Sequence, residues 1–135
     1  MAGIAGGIYF SGERPRGEIR RLSNALAHRG EQASFWSAGP AALVQRSSSG
    51  FEPAEVNGRT LVVDGRVHGI QDLRQQLIRA GLETTGLRES ELLLLAWEHW
   101  GVDFLPQLEG DFAIAIWESA SNTLWIFRDR FGAKP

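Results

Sequence analysis

Residues 111–118 read Asp-Phe-Ala-Ile-Ala-Ile-Trp-Glu, and they constrain the fold more than any other segment. Phe112, Ile114 and Ile116 alternate with Ala113, Ala115 and Trp117, which is the two-residue period of a β-strand. Ser119 to Asn122 has turn composition, and Thr123 to Asp129 reads as the returning strand of a hairpin. On that strand Leu124, Ile126 and Arg128 share one face, with Trp125 and Phe127 on the other. Apolar groups on both faces predict a strand buried between layers rather than one facing water.

The rest of the chain supplies layers for it. Ile4 to Phe10 predicts an extended segment with Ile4, Ile8 and Phe10 on one face, broken by Gly12 and Pro15. The glycines beside them leave room for another backbone to approach closely. From Arg16 to Ala27, Ile19, Leu22 and Leu26 recur at helical spacing, and Gly30 stands where a helix C-terminus favours glycine. Ala33–Ser37 and Ala41–Arg46 predict short strands separated by Gly39-Pro40. Asn57-Gly58 predicts a tight hairpin, because both central positions of that turn need positive φ. Thr60 to Val63 then predicts a buried strand ending at Asp64-Gly65. Ile70, Leu73, Leu77 and Ile78 form one helical stripe closed by Gly81. A second helix is expected from about Glu89 to Trp100, with Leu92, Leu93, Leu95, Ala96 and Trp100 inward. This mixed order predicts an α+β fold, with helices covering antiparallel sheets.

Composition narrows the chemistry. With 135 residues, 43% of them hydrophobic, the chain suffices for one domain and falls short of two. A net charge of -2 excludes a strongly basic nucleic-acid footprint. The absence of cysteine excludes a disulfide framework, a thiolate metal site and a cysteine nucleophile. No apolar run reaches the roughly 18–20 residues needed to cross a bilayer. Met1-Ala2-Gly3-Ile4 lacks the charged start of a secretory signal, so a soluble cytoplasmic domain is expected. His28, His68 and His99 lie far apart with no carboxylate at ligand spacing, which argues against zinc. His28 reads as a helix-end residue. Tryptophans 97, 100, 117 and 125 fall on regular elements and read as core rather than as a stacking platform for bases. Arg14, Arg16, Arg20 and Arg21 read as a solvated helix face beside Glu13 and Glu18. Ser47–Ser49 with His68 lack a nucleophile elbow. Arg128, Asp129 and Arg130 suit either an anion site or an internal ion-pair cluster.

Several segments together resemble a known family. Leu108-Glu109-Gly110-Asp111-Phe112-Ala113 and Arg128-Asp129-Arg130-Phe131-Gly132-Ala133-Lys134-Pro135 are similar to the end of the glutaminase domain of glutamine-dependent asparagine synthetases. Gly3-Ile4-Ala5-Gly6 resembles that domain's start, and His28-Arg29-Gly30 its first helix exit. Asp64-Gly65-Arg66 with Asp72-Leu73-Arg74 falls at its Asn-Gly-Glu and Glu-Leu-Arg, and Arg88-Glu89-Ser90-Glu91 at its Ser-Asp-Thr-Glu. The resemblance implies one class II glutamine amidotransferase domain over residues 1–135. Its fold would be the αββα sandwich of the Ntn-hydrolase type, C-terminally incomplete because the family continues into further strands.

In that family a cysteine after the initiator methionine attacks the glutamine side-chain amide. The asparagine and glycine of Asn-Gly-Glu donate to the oxyanion, while an arginine and an aspartate hold the substrate's α-carboxylate and α-amine. Carried over position by position, the nucleophile is Ala2, whose methyl group cannot form an acyl-enzyme. The oxyanion asparagine is Asp64, an acceptor where a donor is required. The adjoining glutamate is Arg66, and the amine-binding aspartate is Glu89. Gly65 matches, and Arg46 falls at the carboxylate-binding position. The resemblance therefore implies a catalytically inactive domain of an asparagine-synthetase-like amide-forming enzyme, of the kind in β-lactam synthetases and lasso-peptide macrolactam synthetases. ATP and magnesium would belong to a downstream synthetase domain, the expected partner, whose Ser-Gly-Gly-x-Asp-Ser loop does not occur in this sequence. A structural or substrate-holding role would remain for this domain, and an exposed sheet edge would favour a homodimer. A free-standing peptide- or small-ligand-binding module is the alternative, with Arg46 and Arg66 favouring a carboxylate. A functional glutaminase is the minor one.

Overall fold

The computed structural model describes residues 1–11, 16–48 and 52–134. Among them, β1 (Ala2–Ile8), β2 (Gln32–Ala38) and β3 (Ala41–Ser47) form one antiparallel sheet in the order β1-β3-β2. The second sheet has β4 (Ala54–Val56), β5 (Arg59–His68), β6 (Glu109–Glu118) and β7 (Thr123–Arg128) as antiparallel neighbours in chain order. Helix α1 (Arg16–Ala25) packs on β1 and β3, while α2 (Ile70–Arg79) and α3 (Glu89–Trp100) cover the second sheet.

The alternation of β6 explains the layering. Phe112, Ile114 and Ile116 join Leu61 and Val63 of β5 against Leu73 and Leu77 of α2 and Leu92, Leu93 and Trp97 of α3. The opposite face, Val62, Ala115 and Trp117, meets Ala41 and Leu43 of β3, with Ile4, Ile8 and Trp36 half-buried beside them. One strand thus serves two cores, and each fully buried Leu or Ile contributes about 2 kcal/mol of burial. The result is the expected αββα sandwich. The Asn57-Gly58 hairpin also forms as expected, with φ of 51° and 72°. No helix of the described residues is long and apolar enough to cross a membrane.

Several local expectations differ. The first strand is Ala2–Ile8, not Ile4–Phe10, because it pairs residue for residue with Ser47–Ala41, and Phe10 lies beyond it at 91% exposure. Helix α1 stops at Ala25 and passes through a 3₁₀ turn, Ala27–Arg29. Gly30 is extended there and is no left-handed cap; a Cβ on it would stand 2.4 Å from the backbone of Ser47. Its small size serves a close approach of chains. Strand β5 does not end at Asp64-Gly65 but runs on to His68. Gly65 makes this possible at φ +116°, where any Cβ would collide with the Asp111 carbonyl. Ile78 is half-exposed, outside the α2 stripe, and Ile126 is 70% exposed. Strand β7 is therefore an edge strand, only partly layered over: Leu124 packs against the inter-sheet core and Ile126 does not. The breakers Gly12 and Pro15, together with Glu13, Arg14, Ser49 and Pro135, lie outside the described residues, as does the side chain of Arg16.

Candidate functional site

Ala2 is the first residue of β1 and is buried, opposite Ser47 of β3. Arg29, in the turn after α1, reaches across to it: Nε donates to the Ala2 carbonyl at 2.9 Å. The same guanidinium donates through NH2 to Oδ2 of Asp64 at 3.0 Å. Asp64 lies on the inward face of β5 and its side chain is only 7% exposed. Its other oxygen, Oδ1, has no hydrogen-bond donor among the described residues, but the Lys134 ammonium stands 3.4 Å away. Two cations thus hold one buried carboxylate beside Ala2. Burial of such a group is tolerable only with partners of this kind.

The position of Lys134 is itself built. Asp129, just past β7, accepts from the backbone N–H groups of Phe131, Ala133 and Lys134 at 3.0, 3.0 and 3.2 Å. The Ala133 N–H contributes most, burial opposes it, and the net effect holds the Asp129 carboxyl below the usual carboxylate range. Among the described residues Asp129 makes no ion pair. It is the acceptor that folds the Arg-Asp-Arg-Phe-Gly-Ala-Lys segment into a loop and aims its lysine back at β5. A comparable device orders the loop between α2 and α3: the Arg74 guanidinium donates to the carbonyls of Thr84 and Leu87 at 2.6 and 2.8 Å.

The structure brings Ala2, Asp64 and Gly65 into one place and sends the other expected site residues elsewhere. Arg46 points toward α1, donating to Ser23 Oγ at 3.1 Å and to the carbonyls of Gly30 and Glu31 at 3.2 and 3.4 Å. Arg66 is exposed on β5, opposite Asp111 in the register. Glu89 is the exposed first residue of α3. Its neighbour Arg88 pairs with Glu52 at 2.5 Å and Glu91 at 3.1 Å, and Ser90 Oγ donates to the Glu52 carbonyl. The Met1 ammonium donates to Ser48 Oγ at 3.0 Å. No three His, Asp or Glu side chains among the described residues could hold a metal ion together.

The sequence reading missed Arg29 and Lys134 as site residues, although both lay inside the segments it singled out. The available signal was charge. A buried aspartate needs cations, and the chain offers its only lysine and a helix-exit arginine in those two segments. Chemically Ala2 offers no nucleophilic side chain; the Arg29 guanidinium donates to its carbonyl, and the neighbouring Asp64 carboxylate accepts from that same guanidinium.

A family profile described as glutamine amidotransferase domain matches residues 1–135. Asparagine synthetase [glutamine-hydrolyzing] 3 of Bacillus subtilis is 26% identical over 148 residues, taking in all of this chain and 24% of that protein. A putative asparagine synthetase [glutamine-hydrolyzing] of Mycobacterium tuberculosis is 29% identical over 161 residues, with the same two coverages. Amidase chyE of Penicillium rubens is 28% identical over 94 residues, 68% of this chain and 14% of that protein. The chain spans about a quarter of the length of the synthetases it matches.

Proposed function

This chain belongs to the glutamine amidotransferase domain family, and on that premise we propose that it is a member without glutaminase activity. One observation supports the reading: Ala2, where the resemblance puts the nucleophile, shares the Arg29 guanidinium with the carboxylate of Asp64, where it puts an oxyanion donor. Glutamine hydrolysis needs an attacking group and a donor to the tetrahedral oxyanion. Neither Ala2 nor ionised Asp64 supplies one. Arg29 and Lys134 are turned onto that carboxylate, so their hydrogens are engaged with it rather than aimed at a substrate.

In a longer protein the domain would serve an amide-forming synthetase that draws its amine from the substrate itself, as in β-lactam or lasso-peptide synthetases. The support for this is the 24% share of the matched synthetases that the domain represents. Its contribution there would be structural, or would hold the substrate, with ATP and magnesium bound by the synthetase domain. The test is a glutaminase assay on the purified chain, with a cysteine-bearing relative alongside. We expect ammonia release at the level of buffer. Turnover comparable to the relative would overturn the reading.

A further inference from the structure

Among the described residues, strand β2 is an unpaired edge of the three-stranded sheet, and a cleft lies on each side of it. Gln32, Ala33, Ser34 and Phe35 are all exposed, Phe35 by 54%. On the outer side Ala33 and Phe35 face Ile19 and Arg20 of α1, with Arg46 at the base, enclosing about 570 Å³. On the inner side Gln32, Ser34 and Trp36 look toward Thr60 and Arg88 across a cleft of about 660 Å³. An added strand would therefore find main-chain partners along β2 and pockets for alternate side chains on either face.

The two clefts differ in chemistry. In the outer one Arg46 donates only to a hydroxyl and two carbonyls, and Arg20 is exposed. Among the described residues no carboxylate stands within ion-pair distance of either guanidinium. Two uncompensated cations thus adjoin the apolar face of Phe35. In the inner cleft Arg88 is neutralised by Glu52 and Glu91, and the buried Thr60 Oγ1 has no hydrogen-bond partner among the described residues. The outer side asks for apolar and acidic groups, the inner for small polar ones.

We propose that the β2 edge binds an extended peptide segment whose outward residues are apolar and acidic, an apolar side chain resting on Phe35 and a carboxylate facing Arg20 and Arg46. A second copy of this chain is the poorer occupant. Twofold pairing of β2 with β2 would bring two sets of Arg20 and Arg46 onto one face, like charge against like.

The probe is a fluorescein-labelled peptide amide, Val-Ser-Glu-Ser-Val-Ser-Glu-Ser, titrated with the chain and read by anisotropy. The same peptide with Lys for Glu is the comparison. The Glu peptide should bind at least about tenfold tighter, and the preference should shrink as salt screens it. Phe35→Ser should weaken it by about tenfold, and Arg20→Glu should reverse the preference toward the Lys peptide. Both positions are exposed, so unchanged thermal melting is expected and confirms that each variant folds. Amide resonances shifted by the peptide should cluster in residues 32–38. Equal affinity for the two peptides, binding by neither, indifference to both variants, or shifts remote from β2 would each overturn the proposal. So would self-association abolished by Phe35→Ser without peptide, which would make the second copy the occupant. None of these readouts depends on whether the chain releases ammonia.

Discussion

The Lys134 ammonium stands 3.4 Å from Oδ1 of Asp64, so the loop after the last strand is tied to the buried middle of β5. Arg29 holds the other carboxylate oxygen and, with a second nitrogen, the carbonyl of Ala2. Three segments far apart in the chain meet at one acid. On the proposed reading, an alanine and a charge-compensated carboxylate stand where the resembled glutaminases have a nucleophile and an oxyanion donor.

Restoring the nucleophile alone should therefore restore little. Ala2→Cys, with Met1 removed, supplies a thiol, but Asp64 still opposes negative charge at the oxyanion. One missing donor costs about 10²–10³ in rate. Ala2→Cys with Asp64→Asn should exceed the single variant by up to about that factor. An ammonia assay across the two variants decides it; robust turnover by Ala2→Cys alone would sink the claim of a broadly altered centre.

Removing the acid should cost stability. Asp64→Ala leaves Arg29 and Lys134, both about three-quarters buried, without their shared anion. Loss of one member of a buried ion cluster costs about 3 kcal/mol, reduced here because both cations retain some solvent. Lys134→Met, which leaves the Arg29 pair intact, should cost under about 1 kcal/mol. Urea denaturation of the three proteins tests the order, and equal midpoints would show that the cluster is energetically idle.

How much of this was legible in the sequence follows physical lines. The two-sided strand β6 and the stripes of α2 and α3 were readable because periodicity reports directly on which faces are buried. The passage of β5 through Gly65 was not, since a glycine after an aspartate has the same local chemistry in a turn as in a strand. Only the neighbouring carbonyl of Asp111 distinguishes them. The exposure of Ile126 was hidden likewise, because whether a layer reaches an edge strand depends on the width of the facing sheet. Positions 2, 64 and 65 were expected together from the resembled motifs, and the fold does bring them close. Their partners Arg29 and Lys134 came only from the folded geometry, as did the turn of Arg46 toward α1.

Glu118 should give the protein acid sensitivity. Burial pushes its carboxyl up. The Trp97 indole N–H at 3.0 Å, the Arg59 guanidinium at 3.0 Å and the Trp125 indole at 3.3 Å outweigh that and hold it below the usual glutamate value. A folded-state value below the unfolded one means stability that is fully present above the unfolded value and is lost as pH falls through the folded one. Melting temperature should thus fall more steeply in the wild type than in Glu118→Gln from the ordinary glutamate range downward. Near neutral pH the variant should melt lower, by an amount equivalent to about 1–2 kcal/mol. Parallel pH profiles for the two proteins would show that Glu118 is not a linked group; Asp129, also held low, contributes equally to both.

The remaining prediction concerns the other open edge. β7 is the last strand of its sheet, with Ile126 70% exposed on one face and Phe131 91% exposed just beyond it. Val102, Leu105, Leu108 and Phe127 line a further recess of about 460 Å³ at the same end, rimmed by Arg128 and Arg130. An unpaired strand carrying an exposed β-branched residue is a template for edge-to-edge association; the one charge on β7, Arg128, stands at its last residue and leaves Leu124 to Phe127 without a charge or proline. We expect the isolated chain to self-associate through β7, most simply as a twofold pair. A single lysine on the edge is the natural remedy, so Ile126→Lys should shift the particle toward monomer while leaving the melting temperature nearly unchanged. Light scattering across a concentration series reads this directly. A wild-type chain that stays monomeric at high concentration would mean that β7 is protected in solution by contacts of its own, and the edge argument would fail.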